Sequence, residues 1–390
     1  MKKIVILGGG FAGVEAAIKL RKNKHDVTLI SDRSYLFVYP ISIWIPVKKK
    51  KFEDVAMDLG ILSKKHGFKL IIDKVEKIDN TTNTIILSNG EQSYDYLVIA
   101  MGMGKLKLEG IEHTHSICGK PEEANTIEDL LDKLIKKGSG NISVGFGGNP
   151  KDPTATAVRG GPAFELLFNI SHYLKTKGIR DNFNINFFAP MKEPGKRMGE
   201  KPYKKMDVFF KHYDVKTYVG KKIKNFDANN VVFEDDSKLE SDLTIYIAAG
   251  QGHKVIMDSN LPISDAGFIR INELCRVQNN RNIYAVGDIA EIKGGPSWVA
   301  KQGHLAEVMA DTAAYNINNE INGNGKRKSY WEHLNIVCVM DSGDGAAYIK
   351  RTKKSETIIP LPIIGHWMKQ AWGFYYKNSK LKRLPRFPGM

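Results

Sequence analysis

The turn that contains Gly8, Gly10 and Gly13 constrains this chain more than any other feature of its sequence. It follows an apolar, strand-like run over residues 3–7 and opens a segment whose apolar residues recur at helical spacing. A second strand-like run at residues 26–30 completes a strand, turn, helix and strand. In this setting the first glycine permits the turn, the second admits a pyrophosphate, and the third lets helix and strand pack closely. The pattern therefore predicts a dinucleotide site at the N-terminus of the helix.

A second unit of the same kind occurs later in the chain. Strands are predicted over residues 141–145 and 184–188, with a helix near residues 163–173 between them. A chain of 390 residues is also too long for one ordinary core. The sequence thus predicts an α/β protein with two Rossmann-like dinucleotide-binding domains, one inserted in the other, and a separate C-terminal region. We expect a cofactor domain from residues 1–110 and 252–325, a second Rossmann-like domain from residues 111–251, and the C-terminal region from residues 326–390.

The residues that follow the predicted strands indicate which dinucleotide binds. Gly287 and Asp288 follow a strand end, where open α/β sheets place their ligands. A carboxylate beside an isoalloxazine can bind a ribityl hydroxyl, which only a flavin has, so the pair indicates FAD. Ser31 and Asp32 close the second strand, where either side chain can accept a ribose hydroxyl. The predicted cofactor-binding residues are Gly8, Gly10, Phe11, Ala12, Gly13, Ser31, Asp32, Val75, Ala100, Gly102, Gly287, Asp288 and Lys301.

Further motifs occur in a fixed order along the chain. They are residues 30–35 continuing to Trp44, residues 116–118, residues 160–165 and residues 335–339. In this order they resemble the sulfide:quinone oxidoreductases and the related flavocytochrome c sulfide dehydrogenases, over nearly the whole chain. The resemblance implies an oxidoreductase that passes electrons from sulfide or a related sulfur donor through FAD to a membrane quinone. It also implies catalytic roles for Glu165, Lys301 and Cys338, and Cys118 and Arg159 complete the predicted catalytic residues.

The chain departs from these families at Arg159. Sulfide-oxidising members carry a cysteine at the matching position, and it pairs with the later cysteine that corresponds to Cys338. Thiol exchange cannot run through a guanidinium. Either Cys118 is the partner of Cys338 here, or the electron donor is not sulfide, and the sequence leaves both alternatives open. Arg159 itself suits an anionic substrate or an anionic reduced flavin, or it is an ordinary loop arginine.

Two more charged residues have competing interpretations. Glu165 can move protons near a flavin and a quinone if burial raises its pKa, or it can simply favour the positive N-terminus of a helix. Lys301 matches a family lysine at the pyrimidine end of the flavin, where positive charge favours the reduced anion. The alternative for Lys301 is an exposed lysine at the start of a helix. Cys275 matches no family cysteine and is predicted to be structural.

The net charge and the cysteine content limit the partners and the metal sites that this chain can have. The net charge is +15 and the pI about 9.4, which suits an anionic partner, but no nucleic-acid-binding motif accompanies this charge. Three cysteines without a CxxC pair exclude a thiolate zinc site and a disulfide scaffold, so no metal is expected. No stretch reaches the roughly 18 apolar residues that span a bilayer. We therefore expect a peripheral protein on the cytoplasmic face of a membrane, and homo-oligomer formation is left open.

The C-terminal segment is predicted to provide the membrane contact. Apolar residues recur there at helical spacing and form one strongly aromatic face, with a basic cluster directly after it. Aromatic bulk beside basic charge is typical of a helix that lies in a membrane interface. The alternative is a helix packed on the protein's own core or on a second subunit. The apolar residues are Ile364, Trp367, Met368, Ala371, Trp372, Tyr375 and Tyr376, and the basic residues are Lys377, Lys380, Lys382, Arg383 and Arg386.

Two rival functions use the same fold. A type II NADH dehydrogenase would need a short glycine turn in the second unit and an acidic residue after its second strand. The chain instead has a long loop over residues 147–159 and ends that strand in Ala189 and Pro190, which disfavours an NADH site. Gln302, in an Ala-Lys-Gln-Gly sequence, weakly favours the NADH dehydrogenase. The other rival is a flavin-binding relative that has lost catalysis and serves in binding or assembly.

Overall fold

A computed structural model describes residues 2–152 and 154–386 of the chain. The strands are β1 (Lys3–Leu7), β2 (Asp26–Ser31), β3 (Tyr35–Phe37), β4 (Ala56–Asp58), β5 (Lys69–Ile72), β6 (Val75–Asp79), β7 (Thr84–Leu87), β8 (Gly90–Ser93), β9 (Tyr96–Ile99), β10 (Gly104–Lys105), β11 (Gly140–Phe146), β12 (Phe183–Ala189), β13 (Val215–Val219), β14 (Ile223–Asp227), β15 (Asn230–Phe233), β16 (Lys238–Glu240), β17 (Leu243–Ile247), β18 (Gly250–Gln251), β19 (Ile269–Arg270), β20 (Ile283–Ala285), β21 (Ala290–Glu291), β22 (Ile336–Asp341), β23 (Gly345–Arg351) and β24 (Glu356–Pro362). The α-helices are α1 (Phe11–Lys22), α2 (Tyr39–Ser42), α3 (Phe52–Val55), α4 (Leu59–His66), α5 (Glu123–Lys137), α6 (Gly161–Thr176), α7 (Glu200–His212), α8 (Lys254–Met257), α9 (Gly303–Ile321) and α10 (Ile364–Lys380).

The first predicted unit is confirmed as part of a parallel sheet with the strand order β20-β9-β1-β2-β5. Leu7, at the end of β1, lies beside Ile30 of β2 and Ile99 of β9, so these strands end at one level. The inner strands β1 and β9 and the neighbouring β20 are mostly apolar and buried, and α1 and α9 pack together over the sheet, whereas the edge strand β5 is partly exposed. The loops that follow β1, β9 and β20 therefore meet at one edge, which is where ligands bind in such sheets.

The second predicted unit is also confirmed. It forms a parallel sheet with the order β13-β12-β11-β17, and α6 connects β11 to β12. Buried phenylalanines fix the helix on this sheet, among them Phe164 and Phe187, whose ring centres lie 5.1 Å apart. Short antiparallel sheets, β6-β7-β8 and β14-β15-β16, accompany the two parallel ones. The predicted fold of two Rossmann-like units is thus correct, while the residue limits proposed for the domains stay a prediction.

The C-terminal region is an antiparallel sheet of β22, β23 and β24 with α10 packed against it. α10 also contacts α2, so the C-terminal region packs against the segment that follows β3. Glycines permit the close contacts: Gly373 of α10 faces Ile41, where a side chain would come within 2.9 Å of a methyl group. Over the described residues, no helix is both long and apolar enough to cross a membrane.

Candidate active site

One large cleft, with a volume of about 2020 Å³, runs past the carboxyl ends of the first sheet. The glycine turn after β1, the loop before α6, β22 and the inner side of α10 contribute to its walls. Gly13 does not line the cleft, because it packs against the backbone of Gly8. All the other predicted site residues do line it, and they are Gly8, Gly10, Phe11, Ala12, Ser31, Asp32, Val75, Ala100, Gly102, Cys118, Arg159, Glu165, Gly287, Asp288, Lys301 and Cys338.

The glycine turn is shaped so that a pyrophosphate can approach it. A side chain at Gly8, where φ is +107°, would come within 2.4 Å of the Ala100 oxygen. At Gly13 a side chain would come within 1.8 Å of the Gly8 oxygen, so only glycine lets α1 lie this close to the strand. No described atom lies within 4 Å of the position that a Gly10 side chain would take, so the turn is open towards the cleft. The first N–H groups of α1 are left for an anion, and these residues fit a dinucleotide cofactor.

Ser31 and Asp32 differ in their availability for a ribose. Ser31 is buried, and its hydroxyl donates a hydrogen bond to the Arg33 backbone oxygen at 2.7 Å. The Asp32 side chain lines the cleft and is 72% exposed. Asp32 is therefore the better placed of the two to accept ribose hydroxyls.

Arg159 and Asp288 form an ion pair in the cleft. Asp288 lies in a short turn after β20 that begins at Gly287, where φ is +73°. The second terminal nitrogen of Arg159 contacts the carboxylate, while its Nε is buried without a hydrogen-bond partner among the described residues. The carboxylate predicted to bind a ribityl hydroxyl thus has a guanidinium beside it, and the roles predicted for Arg159 stay predictions.

Lys301 is buried in front of α9 and is only 5% exposed. Its ammonium donates a hydrogen bond to the Ala290 backbone oxygen and lies 4.1 Å from the centre of the Phe268 ring. Burial lowers the pKa of Lys301 to about 7, and Asp152 only partly offsets this effect. The alternative of an exposed lysine is wrong, because Lys301 is buried. A buried amine with a shifted pKa beside a cleft is typical of functional sites.

Glu165, Lys369 and Cys338 form a compact group on the cleft wall. Glu165, in the first turns of α6, accepts a hydrogen bond from the Lys369 ammonium on α10 and one of 2.8 Å from the Asp341 amide. Burial raises the pKa of Glu165, and the positive charge of Lys369 opposes that rise. Desolvation raises the pKa of Cys338 to about 12, and the charge of Glu165 adds to it. The thiol is therefore neutral at pH 7, next to a carboxyl group that can exchange protons.

Lys369 and the groups around Asp341 were missed by the sequence reasoning. Asp341 is buried, accepts a hydrogen bond from the Trp44 indole at 3.1 Å, and lies 2.6 Å from the Nδ1 of His366. His366 and Lys369 lie one turn apart on α10 and both point inward. The sequence did contain a signal for them. His366 and Lys369 are polar residues one turn apart in a helix with many apolar residues, and this spacing places them on one face.

The basic cluster predicted to face a membrane is divided in the structure. Lys380 is 1% exposed, and its ammonium lies 2.8 Å from Glu15 and 2.6 Å from Glu307. Arg386 also pairs with Glu15, at 2.7 Å. The prediction that Lys380 and Arg386 face a membrane is wrong, because the buried carboxylate of Glu15 requires cations beside it. Lys382 is exposed.

α10 is confirmed as a helix, but its aromatic residues do not share one face. Tyr376 is 5% exposed and stacks on Phe11, with ring centres 5.0 Å apart, and Trp372 is half-buried. Phe374, which the sequence reasoning left out, is 65% exposed. The outward apolar face consists of Ile364, Trp367, Met368, Ala371 and Phe374.

The cysteines occupy different environments. Cys118 and Cys338 both line the cleft as free thiols, so the partnership proposed between them stays a prediction. Cys275 is fully buried away from the cleft walls, and burial raises its pKa well above the usual value. This environment supports the structural role predicted for it.

Comparison with known proteins gives consistent matches. Residues 2–310 match the family model described as pyridine nucleotide-disulphide oxidoreductase. A sulfide-quinone reductase of Aquifex aeolicus is 26% identical over 408 residues, which cover 97% of this chain and 89% of that protein. A type II NADH:quinone oxidoreductase of Staphylococcus aureus is 21% identical over 375 residues, 89% of this chain and 90% of that protein. The solved structure of the sulfide:quinone oxidoreductase from Aquifex aeolicus superposes with a TM-score of 0.86 at 24% identity, covering 98% of this chain and 92% of the other.

Proposed function

Because the chain belongs to the pyridine nucleotide-disulphide oxidoreductase family, we propose that it oxidises a sulfur donor and reduces a membrane quinone. It is an FAD-dependent oxidoreductase similar to sulfide:quinone reductases over nearly its whole length. FAD, when bound, takes a pair of electrons from a donor and gives them to an acceptor. The residues along the cleft bind the donor and the acceptor and move the protons.

One observation carries this proposal. A single cleft joins the glycine turn, Asp288 and Lys301 to the group formed by Glu165 and Cys338, and the wall near this group belongs to α10. The outer side of the same helix is apolar and exposed. A cofactor site, a thiol and a proton-exchanging carboxyl group thus lie together beneath a surface that suits a membrane.

Glu165 and Lys369 suit the acceptor side of the reaction. A quinone takes up two protons together with two electrons, and water is scarce around a carboxyl group that is 5% exposed. A buried carboxyl with a raised pKa, hydrogen-bonded to an ammonium, can hand a proton to a bound acceptor and be reprotonated. We infer that this pair delivers protons to the quinone.

The oxidation of the sulfur donor depends on Cys338, because Arg159 occupies the position of the second cysteine. Cys338 is retained on β22, whereas Arg159 stands where the resemblance predicts a second redox cysteine. A disulfide across these two positions cannot form. We infer that the sulfur donor is oxidised with Cys338 as the single thiol at this place, or with Cys118 as its partner.

The exposed face of α10 is the proposed membrane contact. Trp367 and Phe374 are each 65% exposed and Ile364 is 66% exposed, and the neighbouring Ile363 and Ile359 extend the patch to β24. An apolar patch of this kind marks an interaction surface, and a helix that presents tryptophan and phenylalanine outward suits a membrane interface. We expect this face to dock on the cytoplasmic side of a membrane.

A type II NADH:quinone oxidoreductase is the second candidate, supported by the relative from Staphylococcus aureus. The loop after β11 argues against it. The Asn149 side chain donates a hydrogen bond to the Gly250 oxygen at 2.9 Å, and a side chain at Gly147 would meet the Tyr246 hydroxyl at 1.9 Å. β12 ends in the buried Ala189 without a carboxylate for a ribose. The loop after β11 is therefore held against β17 and β18, and the end of β12 lacks the acidic residue that a ribose would need.

The test is to reduce the FAD-loaded protein anaerobically with sulfide and, separately, with NADH, while the visible absorbance of the flavin is followed. Quinone is then added to measure how fast the absorbance returns. We expect rapid bleaching by sulfide, its loss in Cys338→Ser, and its retention in Cys275→Ala, which changes a thiol outside the cleft. Bleaching by NADH alone would establish the second candidate instead, and bleaching by neither donor would refute the proposal.

A further inference from the structure

Lys105, Arg159 and Lys301 give the cleft wall an excess of positive charge. All three line the cleft, and among the described residues only Asp288 has a carboxylate within ion-pair distance of any of them. Lys301 donates its hydrogen bond to a neutral backbone oxygen, that of Ala290. Cations withdrawn from water are costly unless an anion lies beside them. Among the described residues, these three cations therefore have one carboxylate at ion-pair distance between them.

Lys105 is a half-buried lysine on the cleft wall. It lies on β10, and within the described parts of the chain its ammonium has neither a hydrogen bond nor an ion pair. Burial lowers the pKa of Lys105 to about 8, the positive charge of Arg159 lowers it further, and Cys118 acts in the opposite direction. Burial is the main cause that lowers the pKa of His253, and the positive charge of Lys105 lowers it further. Lys105 lies opposite Gly250 in the pair of β10 and β18, and the Gly250 amide donates a hydrogen bond of 3.2 Å to the backbone oxygen of Ala157, two residues before Arg159. Lys105, Arg159 and Cys118 all line the same cleft.

Arg159 provides a second and independent observation. One terminal nitrogen pairs with Asp288, yet the Nε is buried and has no partner among the described residues. A guanidinium with spare donors suits a small anion. The phosphates of the cofactor have their own site at the N-terminus of α1, next to Gly10, so they do not account for the cations on β10 and before α6.

We propose that Lys105 and Arg159 form an anion-binding subsite that holds the electron donor as a small sulfur-containing anion in the cleft that Cys118 and Cys338 line. This subsite rests on the proposed function and specifies the class of its donor. The guanidinium cannot exchange thiols, so it binds the donor through charge and hydrogen bonds. Lys105 supplies the second positive charge of the subsite.

The subsite has a distinct pH dependence. A bound anion favours the protonated form of Lys105 and so raises its pKa above the value of about 8 that the free protein has. Affinity for the anion is therefore highest below about pH 8 and falls as the pH rises further, by up to about tenfold per pH unit. Arg159 stays charged throughout this range and adds no pH dependence of its own.

The experiment measures anion binding to the oxidised, FAD-loaded protein without turnover. Thiocyanate, a sulfur-containing monoanion, is titrated while perturbation of the visible flavin spectrum is recorded. We expect Lys105→Met and Arg159→Met each to raise the Kd by about ten- to a hundredfold, the range for losing a hydrogen bond to a charged group. Lys107→Met, which alters an exposed lysine two residues from Lys105, should leave the Kd unchanged. The rise of Kd with pH should disappear in Lys105→Met.

Equal thiocyanate affinity in the parent and both variants would overturn the proposal. It would also be overturned if both variants lost FAD on gel filtration while thiocyanate affinity per bound FAD stayed the same, because the cations would then serve the cofactor. Because the assay needs neither sulfide nor quinone, its result is separate from that of the proposed function. Thiocyanate binding that depends on Lys105, in a protein that sulfide does not reduce, would support the subsite and refute sulfide as the donor.

Discussion

Replacement of Lys380 by methionine tests the buried ion-pair group that anchors the end of α10. Lys380 is 1% exposed and contacts Glu15 at 2.8 Å and Glu307 at 2.6 Å. Despite its burial, Glu15 has its pKa lowered from 4.5 to about 2, because Lys380 and Arg386 outweigh the desolvation. At about 1.4 kcal/mol per pH unit, this shift corresponds to about 3 kcal/mol of stability. Removing one partner of a buried pair costs a similar amount, about 3–5 kcal/mol.

The sign of the pH dependence follows from the lowered pKa. The contribution of Glu15 is complete above pH 4.5 and is lost as the pH falls towards 2, where the folded carboxylate takes up a proton. We therefore expect Lys380→Met to lower the free energy of unfolding in urea at pH 7 by about 3 kcal/mol. The double variant with Glu15→Gln should lose much less than the sum of the single changes, since no uncompensated charge remains at that carboxylate.

Lys382→Met is the matched control, because Lys382 is an exposed lysine on the same segment and should change stability by no more than about 0.5 kcal/mol. A loss below about 1 kcal/mol in Lys380→Met would refute the reasoning. An equal loss in the parent and in the Glu15→Gln background would refute it as well, because the effect would then not come from the ion pair.

Three further predictions concern the site itself. Gly13→Ala should abolish FAD binding, seen as the absence of visible absorbance in the purified protein, because its methyl would lie 1.8 Å from a backbone oxygen; retained FAD would contradict this. Trp367→Ser combined with Phe374→Ser should reduce cosedimentation with anionic vesicles, whereas Val208→Ser, at a residue 61% exposed on α7, should not; equal losses would contradict a specific contact. Glu165→Gln should slow the return of flavin absorbance on adding quinone by about 10²- to 10⁴-fold, while bleaching by the donor proceeds as before; slowing of both steps would contradict a role in proton delivery.

The cofactor side of the site was predictable from the sequence because its signals are local. Gly8, Gly10 and Gly13 stand within one turn, and Gly287 with Asp288 directly follows a strand. Parallel strands then bring their carboxyl ends to a common edge, so residues far apart in sequence meet without any further information. The same rule placed Asp288 near the glycine turn, although it gave no indication that Arg159 would pair with it.

The acceptor side was only half predictable. The sequence marked Glu165 and Cys338 through a resemblance, but it gave no reason to join Glu165 to Lys369, which lies 204 residues away. Such a pairing depends on how α10 is rotated against β22 and α6. Trp367 and Tyr376 show the same limit, since both are aromatic and only the packing decides that one is exposed and the other is buried.

By itself, the sequence determined the two Rossmann-like units, the FAD-type glycine turn and the amphipathic C-terminal helix, because periodicity and turn chemistry are properties of short segments. Only the tertiary structure decided which side of that helix faces inward. It also decided that Lys380, 365 residues from Glu15, neutralises a buried carboxylate instead of a membrane surface. The physical reason is that a buried charge must find its counter-charge in space, and the partner that satisfies it can come from any part of the chain.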